Sequence, residues 1–205
     1  LRTAVLASGR GSNFKALLEA SKKEGLPIEI VAVGSDQPRA AVLGLAKEFG
    51  IPTQVFSIKD YPHRQAQEEE LLIWMRKHRV ELLLLAGYMR VLGSEFIQQA
   101  NFPILNIHPS LLPSFPGLHA QRQAVEYGVK VSGCTVHFVD EGLDSGPIIL
   151  QEAVPVLAAD TEDSLSQRIL EAEHRLYPKA VRLLVSGSVK RVGRRVQILQ
   201  QEGLG

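Results

Sequence analysis

Cysteine is nearly missing from this chain: Cys134 is the single one among 205 residues. That excludes an internal disulfide and any metal cage built from several thiolates, and it suits a reducing compartment. Neither sign of charge is in excess, with 23 Lys and Arg against 22 Asp and Glu, for a formal net charge of +1. The basic residues are scattered, so the broad basic face of general nucleic-acid binding is lacking and any anion site must be local. Long apolar runs are absent as well; the longest are far too short to span a bilayer, and no targeting segment is expected. These absences lead us to expect a cytoplasmic protein with neither membrane nor nucleic acid among its partners. No metal is expected either, because no histidine stands in a ligand spacing such as HExxH.

What is present is ample core material, since 45% of the residues are hydrophobic. Short β-branched or leucine-rich runs alternate with amphipathic stretches, the pattern of an α/β fold with a mostly parallel, doubly wound, Rossmann-like sheet. Strands are expected at Thr3–Ala7, Ile28–Val33, Thr53–Phe56, Val80–Ala86 and Ile104–Ile107. Helices are expected from about Phe14 to Gly25, with Asn13 as N-cap, then over Ala40–Phe49 and in a longer stretch after Pro62. Beyond residue 108 the rhythm changes to loop, helix (Ala120–Tyr127) and two longer strands, Val131–Asp140 and Ile148–Val156, which form an antiparallel C-terminal portion. A helix over Thr161–Val185 follows, with Glu162 and Asp163 matching its dipole and Pro178 expected to kink it, and the basic tail reads as a hairpin around Gly193. With no repeat or linker, one domain over 1–205 is expected, with halves of roughly 1–100 and 101–205.

Directly after the first strand stands Ser8-Gly9-Arg10-Gly11-Ser12-Asn13, where a strand-to-helix turn aims free N–H groups and a positive helix end at an anion. The third glycine of a dinucleotide fingerprint falls on Phe14, which argues against a hydride-carrying cofactor. Gly11, Ser12 and Asn13 suit a single terminal phosphate, although a tight turn with a helix cap needs the same residues.

In Asn106-Ile107-His108-Pro109 the two polar side chains share one face of a strand. An amide and an imidazole there can meet the oxyanion of a tetrahedral acyl-transfer intermediate, and the imidazole can also pass a proton. A hydrogen-bonded histidine ending a strand is the plainer reading. Between the two late strands, the loop Asp140-Glu141-Gly142-Leu143-Asp144-Ser145-Gly146-Pro147 carries the candidate carboxylate. Near His108, Asp144 would favour the protonated ring and hold its orientation; a solvated turn is the plainer reading of the loop, and for Asp140 and Glu141 it serves as well.

The segments ASGRGSN, LAGYMRVL, NIHPSLLPSFPGLHA, VHFVDEGLDSGPIIL and EHRLYP together resemble the glycinamide ribonucleotide formyltransferases, folate-dependent enzymes of purine synthesis. The resemblance implies formyl transfer from the co-substrate 10-formyltetrahydrofolate to glycinamide ribonucleotide. It implies Asn106, His108 and Asp144 as catalytic residues, with Asn106 also touching the folate. Gly11, Ser12 and Asn13 would hold the ribonucleotide phosphate and Glu173 its ribose or amine end. Met89, Arg90, Val91 and Leu92 would line the pterin pocket, and Arg64 would reach the anionic glutamate tail. His119 and His137 match family positions and are read as supporting residues. Leu170 departs from the pattern, since a polar or basic residue there would assist phosphate binding.

Methionyl-tRNA formyltransferase and formyltetrahydrofolate hydrolase share the Asn-x-His strand end, but each is expected to carry a further domain for which 205 residues leave no room. A non-catalytic nucleotide or folate binder would show a broken trio, and an oxidoreductase is disfavoured by Phe14. Monomer and homodimer both remain open.

Overall fold

In the computed structural model, which describes residues 1–199, the chain opens with β1 (Arg2–Leu6), α1 (Ser12–Lys23), β2 (Glu29–Ser35), α2 (Ala41–Glu48) and β3 (Thr53–Val55). The final positions of the expected 1–205 domain, 200–205, lie outside the described residues. A 3-10 turn (Ile58–Asp60) leads to α3 (Arg64–Lys77), β4 (Leu82–Leu85), α4 (Ser94–Gln99) and β5 (Ile104–His108). Then come α5 (Ala120–Tyr127), β6 (Val131–Phe138), β7 (Ile148–Pro155), α6 (Glu162–Val185) and the hairpin β8 (Val189–Val192) and β9 (Arg195–Ile198). Seven strands make one sheet in the order β3-β2-β1-β4-β5-β6-β7. The first five are mutually parallel, and β6 and β7 run antiparallel, as the change of rhythm beyond residue 108 predicted. The short helix α4 was not expected.

Alternation along the strands divides the core into two faces. Val5, Leu82, Leu84, Leu105 and Ile107 turn to one side, where they meet Phe14 and Leu17 of α1, Val42 of α2 and Ile169 and Tyr177 of α6. Ala4, Leu6, Leu83, Leu85 and Ile104 turn to the other, against Leu71, Trp74 and Met75 of α3 and Phe96 of α4. The first cluster runs from Val5 to Val181, so both ends of the sequence share one core. Phe14, the residue that broke the dinucleotide pattern, is wholly buried beneath the first turn, a burial worth roughly 2–3 kcal/mol. The hydroxyl of Tyr177 donates to Leu85 O (3.0 Å) and Leu105 O (3.1 Å), tying α6 to the ends of β4 and β5.

The long helix α6 begins with a capping box, in which the Thr161 hydroxyl accepts from Ser164 N while the Ser164 hydroxyl accepts from Thr161 N. The helix continues through Pro178 to Val185.

Candidate active site

The order of the sheet reverses between β1 and β4, and ligands of open α/β sheets bind beyond the carboxyl ends of strands at such a reversal. One half of the site forms there. Asn13 was expected to cap α1, but Gly11 does so instead, at φ 81° and ψ 24°. A side chain at that position would be strained by the backbone, and its Cβ would come within 2.7 Å of Val42 Cγ2. No side chain caps α1 and its first turn carries no acid, so its leading N–H groups and positive end are open to an anion.

Released from capping, Asn13 turns inward. Its Nδ2 donates to Glu173 Oε2 at 2.7 Å, joining two residues that stand 160 positions apart and that sequence reasoning had placed on the same substrate. Burial pushes the Glu173 carboxyl up to about 7, against the opposing effect of the Asn13 bond. Among the described residues Asn13 Oδ1 is buried without a partner, an unmet acceptor beside the first turn. Leu170 lies three residues before Glu173 on α6, half-buried, and offers the turn no charge.

The other half lies on the face of β5 that carries Ile104. Apolar packing on this side gives way to Asn106 and His108, and the antiparallel register sets His137 opposite Asn106 and Thr135 opposite His108. The sheet thus brings four polar side chains onto one face. His108 is 5% exposed, with Nε2 at 2.8 Å from Phe115 O and Nδ1 at 3.3 Å from Asp144 Oδ2. Both ring nitrogens face oxygen acceptors, an arrangement that the doubly protonated ring satisfies and the neutral ring does not. Asp144 sits at φ 48°, and its Oδ2 also accepts from Gly117 N at 2.8 Å. The acidic loop therefore places this one carboxylate in the site, while Asp140 accepts locally from Ser145 Oγ and Gly142 N.

Burial lowers the His137 pKa, against the bond to Phe138 O, so the ring is neutral. Its Nδ1 donates to that carbonyl (2.8 Å), which fixes the tautomer and leaves Nε2 as an acceptor for Asn106 Nδ2 at 3.2 Å. The Nε2 to Asp144 Oδ1 distance of 3.8 Å would count as an ion pair only for a charged ring, and the closer amide contact decides the assignment. One amide proton of Asn106 is thereby anchored and the second is free to meet a ligand. The other supporting histidine, His119, lies 3.6 Å from Glu162 and is largely exposed.

The loop after β4 borders both halves. Ser8 Oγ donates to Asp36 Oδ1 (2.5 Å) and accepts from Met89 N (2.9 Å), so the ends of β2 and β1 hold that loop in place. Met89 and Val91 are exposed apolar side chains, as are Leu118 and Leu143. Leu92 departs from expectation: its side chain is 4% exposed and packs in the core, anchoring the loop rather than lining a pocket. Arg64 also has a structural task. Its guanidinium donates to Glu68 Oε1 (2.8 Å) and Val91 O (2.5 Å), and Glu68 Oε1 accepts from Gly93 N (2.9 Å).

Several residues here escaped sequence reasoning. Thr135 Oγ1 donates to Ser110 O (2.7 Å) and accepts from Leu112 N (3.1 Å) and Gln151 Nε2 (3.0 Å), pinning the loop whose Phe115 carbonyl meets His108. Alternation along β6 puts Thr135 and His137 on one face, a signal that was available; the Phe115 contact is made by backbone and has no residue signature.

A doubly wound sheet presenting an amide, an imidazole and a carboxylate beside an uncapped helix start has the equipment of an enzyme of acyl transfer to a phosphorylated acceptor. Comparison with known proteins sharpens that class. The family described as formyl transferase matches residues 1–181. Phosphoribosylglycinamide formyltransferase of Bacillus subtilis is 45% identical over 182 residues, 89% of this chain and 93% of that protein. The trifunctional purine biosynthetic protein adenosine-3 of Drosophila pseudoobscura pseudoobscura is 51% identical over 93% of this chain, which spans only 14% of that longer protein. The crystal structure of glycinamide ribonucleotide transformylase 1 from Symbiobacterium toebii superimposes with a TM-score of 0.94 at 48% identity, covering 98% of this chain and 94% of that one. The chain belongs to the formyl transferase family, within its phosphoribosylglycinamide formyltransferase branch.

Proposed function

We propose that this chain acts in the cytoplasm as one domain that transfers the formyl group of 10-formyltetrahydrofolate to the amine of glycinamide ribonucleotide. The observation that carries this reading is that Asn106 and His108 share one face of β5 and Asp144, from the loop after β6, reaches His108 there. The uncapped start of α1 supports a phosphorylated acceptor, the unmet Asn13 Oδ1 supports a hydroxyl donor such as a ribose supplies, and the exposed Met89 and Val91 support a flat apolar co-substrate.

In the proposed reaction the acceptor amine attacks the formyl carbon, the C–N bond to the folate breaks, and the proton lost by the amine ends on the folate nitrogen. Oxygen carries negative charge at the tetrahedral stage. The free Asn106 N–H donates to it directly, and the positive His108 ring stabilises it electrostatically; one such donor is worth roughly 3 kcal/mol. Neither ring N–H of His108 is free while Phe115 O and Asp144 hold them, so a proton passes through His108 only when one contact opens. The Asp144 contact is the longer, and its carboxylate is the group that takes and returns the amine proton. Gly11, Ser12 and Asn13 hold the phosphate, and Glu173 acts through Asn13 or meets the ribose.

Asp144→Asn tests the reading. Asparagine tolerates the left-handed backbone at 144 and its amide oxygen still accepts from Gly117, so the fold should survive while the charge is lost. Turnover should fall ~10²–10³-fold with KM values little changed, because the loss belongs to the transition state. Wild-type turnover in a folded Asp144→Asn protein would remove this carboxylate from the mechanism.

A further inference from the structure

Beyond the ends of β2 and β3, on the far side of the loop after β4, lies a cavity of about 370 Å³. Three loops supply its cations: Arg39 after β2, Lys59 from the 3-10 turn after β3, and Arg90 after β4. Asp36 is the single carboxylate in the lining, and both of its oxygens are taken, Oδ1 by Ser8 Oγ and Oδ2 by Gln37 Nε2 at 2.9 Å. Among the described residues, Arg39, Lys59 and Arg90 make neither an ion pair nor a side-chain hydrogen bond. Lys and Arg are nearly matched by acids over the whole chain, so three cations facing a single carboxylate is a local excess of positive charge. Asp36 offsets one of the three, and the cavity keeps a net positive charge.

We infer that this cavity is a second anion site, which takes a small ligand bearing two or more carboxylate or phosphate groups. Its volume lies at the lower end of the roughly 300–1,000 Å³ usual for ligand sites, more than one simple ion fills. Three donors on separate loops suit separated charges better than a single one. Arg90 belongs at once to this lining and to the loop assigned to the folate, so the ligand is either an acidic extension of the co-substrate or a separate anion beside it. That choice of source rests on the formyl-transfer reading; the anion site does not.

The test is titration calorimetry of the intact chain with inorganic tripolyphosphate and with tri-γ-glutamate, using Arg39→Gln/Lys59→Gln as the comparison. Both substitutions lie on surface loops outside the proposed catalytic and phosphate-turn residues, and circular dichroism checks the fold. Wild-type should bind at least one probe, more weakly as salt rises, and the double variant should bind it roughly tenfold less tightly or worse. Equal affinity in both proteins, or no binding to wild-type, overturns the inference. Steady-state kinetics then separate the sources. A lower KM for a co-substrate carrying three glutamates than for one, lost in the double variant, identifies the extension; equal KM values with calorimetric binding intact identify a separate anion. Calorimetry needs no turnover, so a failed anion site and a failed formyl-transfer reading are distinguished.

Discussion

Replacing Glu173 by glutamine should make the protein more stable at alkaline pH and leave it nearly unchanged in acid. The wild-type carboxyl is buried and its pKa is pushed up to about 7 from an ordinary 4.5. A group raised in the folded state binds more protons folded than unfolded across that interval, so its contribution is fully present below the unfolded value and is lost as pH rises through the folded one. Each pKa unit is worth ~1.4 kcal/mol, so the loss is about 3 kcal/mol by about pH 8. Glutamine carries no such term, and its Oε1 can still accept from Asn13 Nδ2. Urea unfolding of both proteins at about pH 5 and about pH 8 should show the stability gap opening by roughly 2–3 kcal/mol in favour of glutamine. Parallel pH dependences would refute the reasoning, and would mean that Glu173 is solvated or charged without cost.

Two further outcomes follow from the division of the site. Asn13→Leu strips Glu173 of its donor and fills the phosphate turn with an apolar side chain, so KM for the ribonucleotide should rise roughly tenfold or more while KM for the folate holds; a parallel rise in both constants would contradict separate halves. Exhaustive chelation should leave kcat unchanged, because the proposed chemistry runs on an amide, an imidazole and a carboxylate; activity lost to chelation and restored by a divalent ion would overturn that.

Much of this was legible because periodicity and turn chemistry act locally. The β5 pair Asn106 and His108 could be placed on one face from alternation alone, and the antiparallel β6–β7 pair and the basic hairpin around Gly193 followed from strand length and turn residues. The helix start misled, since asparagine is a good cap by propensity. Tertiary packing decided otherwise: Gly11 alone tolerates the left-handed turn against Val42, and Asn13 is worth more to buried Glu173. Leu92 was placed in the pocket by the resemblance, yet its side chain is buried, and no local rule tells which side chain of an irregular loop turns inward. Contacts made by backbone, such as Phe115 O to His108, leave no trace in residue identity. The clustering of Arg39, Lys59 and Arg90 depends on strand order, which brings three separate loops to one edge.

The central claim is the identity of donor and acceptor, and one measurement reaches it directly. Purified protein is incubated with 10-formyltetrahydrofolate and, in separate reactions, with glycinamide ribonucleotide, with charged initiator tRNA, or with no acceptor, and the release of tetrahydrofolate is followed by absorbance. Release with glycinamide ribonucleotide, matched mole for mole by its formylated product, is the predicted result. Release with the tRNA or with water alone, and none with glycinamide ribonucleotide, would contradict the account.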